Sequence, residues 1–213
     1  MIRRYLMPVA VMFTYAALLA ANAPEAPPAS SYAPAEELTT QFNAYLAEME
    51  ESLAGDDYSA AQRGRVFKLS NTVAALALVL ANHDQENAIQ PRAAAIVAAA
   101  GELSTASDDH QPAKAAFAKL KQAVAAEPGE ALPWKPVADL TALMEQVPVI
   151  NSKLKRAVRR LERNQQEAAV DAATLAAIAQ AAMYDHSAVV DEADLAQWYE
   201  FTAQMRDAAG ETA

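Results

Sequence analysis

The sequence of 213 residues contains no cysteine. Cysteine thiols are required for disulfides, for cysteine-ligated zinc sites, for iron–sulfur clusters and for the covalent attachment of c-type haem. The sequence therefore excludes all four, and the fold has to be held together by the packing of its secondary structure.

Glycine and aromatic residues are also scarce, with only 5 glycines and 7% aromatic residues, whereas alanine occurs 54 times. Alanine has the highest helix propensity of all residues, and few glycines interrupt it. The composition therefore predicts an all-α fold. Apolar stripes at helical spacing divide it into an up-and-down bundle of about seven helices.

Recognisable catalytic motifs are absent from the sequence. It has no G-x-S-x-G nucleophile motif and no glycine-rich phosphate loop. We therefore expect a protein that is not an enzyme, with no catalytic residues and no metal site.

The N-terminus is typical of a secretory signal peptide. Arg3 and Arg4 precede an apolar run at residues 6–21, and small side chains stand at Ala21 and Ala23. We assign residues 1–23 to a signal peptide, which predicts a periplasmic or secreted protein. Pro24 hinders cleavage directly after Ala23, so an uncleaved membrane anchor stays open as the alternative.

Residues 24–34, PEAPPASSYAP, are rich in proline and have no apolar pattern. Such a composition predicts an extended linker without structure of its own. The folded helical body then covers residues 35–213.

The charge of the chain is strongly negative, at −10 at pH 7. An excess of acidic residues repels nucleic acids and anionic membranes. We accordingly expect partners that are neutral or cationic overall, and we expect neither nucleic acid nor a membrane to bind the exported body.

The stretch at residues 66–82, VFKLSNTVAALALVLAN, organises the body. From Val73 to Ala81 every residue is apolar, and a helix that is apolar on all sides is buried on all sides. This run is far shorter than the ~20 residues of a membrane span, so we predict the central helix of a bundle.

The later helices are predicted from their apolar stripes. The fifth helix of the chain is expected to run from Leu140 through Leu161 with a kink at Pro148, and the sixth from Asp171 to His186. A shift of 81 or 82 residues aligns similar side chains, which predicts an internal repeat with units at about residues 58–129 and 140–211. Chance similarity between alanine-rich helices is the alternative.

Six basic residues lie close together in the predicted fifth helix. They are Lys153, Lys155, Arg156, Arg159, Arg160 and Arg163. Their spacing puts them on two adjoining helix faces, and arginine side chains bind phosphate, sulfate and carboxylate groups well. The run predicts a surface for an anionic ligand or an envelope protein. The alternative is a solvated face paired with acidic helices.

Three stretches resemble the superfamily of cytochrome c prime and the soluble b-type four-helix cytochromes, more specifically its secreted bacterial paralogues. They are RVFKLSNTVAALALVLANHDQEN at residues 65–87, VPVINSKLKRAVRRLER at 147–163 and DLAQWYEFTAQMRDAAGE at 194–211. The resemblance implies haem binding and extracytoplasmic electron transfer. The c-type members carry a C-x-x-C-H motif, which this chain lacks.

The b-type members of that superfamily bind haem through an N-terminal methionine and a histidine in the last helix. Met49 could stand for the methionine, but residues 191–209 contain no histidine. The candidate haem ligands of the chain are Met49, His83 and His186. Each histidine adjoins an aspartate, which suggests metal or proton chemistry, and helix capping explains these pairs without a functional role.

These features predict an exported, non-enzymatic helical bundle with a binding or structural role in the periplasm or cell envelope, and no cofactor. The alternative is a cytochrome-like electron carrier that holds haem without a covalent bond.

Overall fold

In the computed structural model, which describes residues 23–213, the chain forms seven α-helices and no β-strand. They are α1 (Ala35–Ala54), α2 (Ala60–Ala81), α3 (Ala93–Ala106), α4 (His110–Val124), α5 (Leu140–Val158), α6 (Leu161–Ala182) and α7 (Leu195–Gly210). The predicted all-α bundle of seven helices is confirmed. The predicted signal peptide at residues 1–23 lies outside the described residues, apart from Ala23.

Helix α2 forms the centre of the bundle. Its start is fixed by a capping box, in which Ser59 and Gln62 each bind the other's backbone N–H through the side chain. Every residue from Leu69 to Leu80 is buried, which confirms the predicted central helix. Among the described residues, α2 is also the one helix long and apolar enough to cross a membrane. Because 72% of its apolar window is buried inside the protein, α2 is a core helix.

Helix α6 contains a second long buried segment, which the sequence did not reveal. All residues at 170–182 are buried, although Asp171, Thr174 and Gln180 are polar. These polar residues interrupt the apolar run that makes α2 easy to recognise. We expected instead an amphipathic helix beginning at Asp171, which lies in the middle of α6.

The two buried helices pack against each other, and the remaining helices surround them in a related way. α1 packs on α2 and α6, whereas α5 packs on α6 and α2. α3 lies on α2 as α7 lies on α6, and α4 packs on α3. This burial pattern pairs α2 with α6. The predicted repeat units pair α2 with α5 instead, and that repeat stays a prediction.

The boundary between α5 and α6 differs from the prediction. α5 continues through Pro148 but ends at Val158, because Arg160 has non-helical backbone angles of φ −133° and ψ 41°. Leu161 therefore begins α6 and does not end α5. The apolar spacing continues unchanged across this break, so periodicity alone could not locate it.

The segment before α1 is folded, and the prediction of an unstructured linker is wrong for its second half. Ala29–Ser31 form a 3-10 turn, and Tyr32 is only 3% exposed. The Ser30 backbone N–H donates to the Asp84 carboxylate at 2.8 Å, and the Ser30 hydroxyl donates to it as well. These hydrogen bonds hold the pKa of Asp84 below its usual range.

We call residues 29–33 the N-terminal strap. Its proline-rich surroundings gave no sign of docking, because its partners lie far away in the sequence, at Asp84 after α2 and at Gly210 in α7. Tyr32 lies so close to Gly210 that a side chain at that position would overlap it.

Candidate functional site

The predicted basic run lies at the junction of α5 and α6 and is solvent-exposed over most of its length. We call its five exposed members the basic corner: Lys155, Arg156, Arg159, Arg160 and Arg163. Glu162 is the one acidic residue between positions 155 and 163. The corner thus concentrates positive charge on a chain whose formal net charge is −10.

The backbone of the corner is a tight turn with regular hydrogen bonds. Arg160 N–H donates to the Ala157 carbonyl oxygen, and Arg163 N–H donates to the Arg160 carbonyl oxygen, both at 2.9 Å. Asn164 then leaves helical geometry again, with φ −126° and ψ 27°. Residues 161–163 are therefore a single helical turn between two breaks, and buried Ala157 anchors the turn to the body.

The charges of the corner form no direct ion pairs, although the charge of Arg156 also opposes the rise in the pKa of Asp171. None of its five residues forms an ion pair or a side-chain hydrogen bond with any residue in the described range 23–213. The sixth predicted residue, Lys153, approaches Glu48 of α1 at 4.0 Å and is only partly exposed. The pairing of the basic run with acidic helices is therefore limited to Lys153.

A surface cleft of about 380 Å³ opens at the corner. It is lined by Arg159, Arg160 and Arg163 together with Leu161 and Glu162. Three guanidinium groups around one cleft provide several N–H donors for the oxygen atoms of a phosphate, sulfate or carboxylate group. The geometry is suited to binding an anion and contains no nucleophile or paired acid and base.

A buried polar pair lies beside α5, between α1 and α6. The hydroxyl of Tyr45 and one carboxylate oxygen of Asp171 have no hydrogen-bond partner among the described residues. The amides of Gln41 and Gln146 influence Tyr45 but lie outside hydrogen-bond geometry with its hydroxyl. Burial raises the pKa of Asp171 to about 6, and the positive charge of Lys153 opposes that rise.

Burial also raises the pKa of Tyr45 above its ordinary value. The sequence analysis missed both members of this pair. The signal that could have found Asp171 is that it is the one charged residue in the alanine-rich stretch at residues 168–179. Nothing in the sequence around Tyr45 distinguishes it from an ordinary core aromatic residue.

His83 is a buried residue after α2 that contacts the strap. Its Nδ1 accepts a hydrogen bond from the Gln85 backbone N–H at 3.0 Å, so the ring proton is assigned to Nε2. Nε2 lies 3.0 Å from the Ala33 carbonyl oxygen and donates to it. Because both ring nitrogens are engaged, His83 has no nitrogen free to bind a haem iron.

The other two haem candidates lie in different surroundings. Met49 is fully buried in the apolar core, about 20 Å along α1 from the end that contacts His83. His186 is exposed, and its Nε2 lies 3.0 Å from the Tyr199 hydroxyl. This arrangement does not fit a pair of axial haem ligands.

The remaining histidine, His110, contacts the end of α1. Its Nε2 lies 3.1 Å from the Leu53 carbonyl oxygen, and its ring stacks on Tyr58 with centroids 4.8 Å apart. Within residues 23–213, no three or more histidine, aspartate or glutamate side chains are close enough together to hold a metal ion.

Comparisons with protein-family models, with curated proteins and with solved structures found no match to this chain. The resemblance to the cytochrome superfamily therefore stays a prediction, and the basic corner rests on its own geometry.

Proposed function

We propose that this protein is an exported, non-enzymatic helical bundle that binds an anionic partner through the basic corner, in the periplasm or cell envelope. The observation that carries the proposal is the group of five exposed cationic side chains that have no ion-pair partner in the described chain.

Binding at the corner would require little rearrangement. An ion pair within the protein would have to break before an external anion could bind, and the five corner residues have no such pair to break. The guanidinium groups of Arg159, Arg160 and Arg163 already surround one cleft. An external anion could therefore bind these groups without displacing an internal partner.

The acidic remainder of the chain would orient the encounter. A polyanion is repelled by most of a protein with a net charge of −10 and is attracted only where positive charge is concentrated. The anionic partner would therefore approach the corner first, and its binding would weaken as salt screens these charges.

Chromatography on immobilised heparin, a sulfated polyanion, tests the proposal. We expect the protein to be retained at low ionic strength despite its net negative charge. The double variant Arg160→Gln/Arg163→Gln should elute at clearly lower salt. The control Arg63→Gln/Arg65→Gln removes the same charge from two exposed arginines of α2 and should elute like the parent.

Two results would contradict the proposal. Flow-through of the parent protein would show that the corner does not bind polyanions. Equal loss of retention in both double variants would show that only the overall charge matters.

A further inference from the structure

We propose that the partner of the basic corner is the surface of a lipid bilayer that contains anionic phospholipids, with Val158 and Leu161 inserting among the lipids. This inference rests on the proposed function and specifies its anionic partner.

Two aliphatic side chains stand at the tip of the corner. Val158, the last residue of α5, is 47% exposed, and Leu161, the first residue of α6, is 48% exposed. Val158 lies one turn after Lys155 on α5, so an aliphatic and a cationic side chain share one helix face. Aliphatic residues flanked by lysine and arginine are the pattern by which helices bind membrane interfaces.

The exposed aliphatic side chains favour a lipid surface over a soluble anion. Val158 and Leu161 are at the turn between α5 and α6, and each is about half exposed beside the cationic side chains. The adjacent cleft of about 380 Å³ can receive the phosphate of one headgroup through Arg159, Arg160 and Arg163. A soluble anion would use the cleft and leave Val158, which does not line it, in water.

The distribution of charge explains how an acidic protein could bind an anionic membrane. The expectation that no membrane binds the exported body came from the net charge, which averages over the whole chain. The structure instead concentrates five cations at one corner, each of which contributes roughly fivefold to the affinity for an anionic surface. The acidic remainder would face away from the membrane and fix the orientation.

Co-sedimentation with vesicles tests this proposal. The exported protein is purified, and its intact mass shows which N-terminal residues it retains. We expect it to bind vesicles of phosphatidylglycerol and phosphatidylcholine and not vesicles of phosphatidylcholine alone. Arg160→Gln/Arg163→Gln should lower the vesicle affinity about 10- to 30-fold, whereas Arg63→Gln/Arg65→Gln should change it less than about twofold.

A second pair of variants tests the insertion of the aliphatic residues. Val158→Ser/Leu161→Ser keeps all charges and should lower vesicle affinity about tenfold while leaving heparin retention unchanged. The control Val190→Ser/Phe201→Ser replaces exposed apolar residues outside the corner and should bind vesicles like the parent. All four substituted positions are exposed, so the variants should fold normally.

The outcomes separate this proposal from the proposed function. Retention on heparin without binding to anionic vesicles would overturn the membrane partner and leave the anionic site standing. Full vesicle binding by Val158→Ser/Leu161→Ser, or tighter binding to soluble polyglutamate than to vesicles, would likewise overturn it. Loss of both heparin and vesicle binding in the parent would refute both.

Discussion

Replacement of Gly210 by alanine should detach the N-terminal strap from α7. An added Cβ atom would lie 2.8 Å from both Cα and Cβ of Tyr32 and 3.2 Å from its carbonyl oxygen. These are mainly backbone atoms, which cannot turn away as the end of a flexible side chain can. Overpacking of this kind costs about 1 to 3 kcal/mol, so we expect the free energy of unfolding to fall by that amount.

Gly64→Ala provides the matched control for this prediction. Gly64 lies inside α2, and a Cβ atom there would meet nothing within 4 Å. Alanine is favoured over glycine within a helix by about 1 kcal/mol, so this variant should be more stable than the parent. The two glycine-to-alanine variants should therefore differ by about 2 to 4 kcal/mol in opposite directions.

Urea denaturation followed by circular dichroism measures the free energy of unfolding of both variants. Limited proteolysis tests whether the strap remains docked. We expect Gly210→Ala to become sensitive to cleavage before residue 34, while Gly64→Ala stays resistant. Equal stabilisation by both substitutions, or a protease-resistant strap in Gly210→Ala, would show that Tyr32 does not dock against Gly210.

Three further predictions follow from the buried groups. Because burial raises the folded-state pKa of Asp171 to about 6, the folded state holds its proton more tightly than the unfolded state. The stability associated with this group is thus fully present below about pH 4 and is lost as pH rises to about 6. Asp171→Asn should remove that loss and raise the free energy of unfolding by about 1 to 3 kcal/mol at pH 7. Urea denaturation at pH 4 and pH 7 measures this, and equal stability of variant and parent at pH 7 would refute it. Leu80→Asp buries a lone carboxylate in α2 and should unfold the protein, because the cost of several kcal/mol approaches a total stability of ~5 to 15 kcal/mol. Cooperative melting at the parent temperature would contradict this. Haem titration should give no sharp Soret band, because both nitrogens of His83 are engaged, and a saturable band at one haem per chain would favour the electron-carrier alternative.

The sequence was most informative where one stretch determines its own environment. α2 could be predicted because nine consecutive apolar residues from Val73 leave no polar face, whatever their neighbours are. Residues 170–182 of α6 are buried just as completely, but the polar side chains of Asp171, Thr174 and Gln180 interrupt the apolar pattern that would have predicted this. Its burial results from packing against α1, α2 and α5, which a local pattern does not contain.

In the candidate site, too, local features could be predicted from the sequence, and contacts between distant residues could not. The basic residues of the corner were visible as a run, but their lack of ion-pair partners depends on where the acidic helices pack. Glu50 pairs with Lys121 of α4 at 2.6 Å, not with the corner. The strap could not be predicted at all, because Tyr32 docks on Gly210 and His83 binds Ala33 from distant parts of the chain.

Chemical modification of arginine residues, read by mass spectrometry with and without heparin, tests most directly whether the basic corner binds anions. We expect Arg159, Arg160 and Arg163 to react in the free protein and to be protected when heparin is bound. Arg63 and Arg65, which are exposed on α2, should react equally in both states. Protection of Arg63 and Arg65 to the same extent, or unchanged reactivity at the corner, would contradict the proposed site.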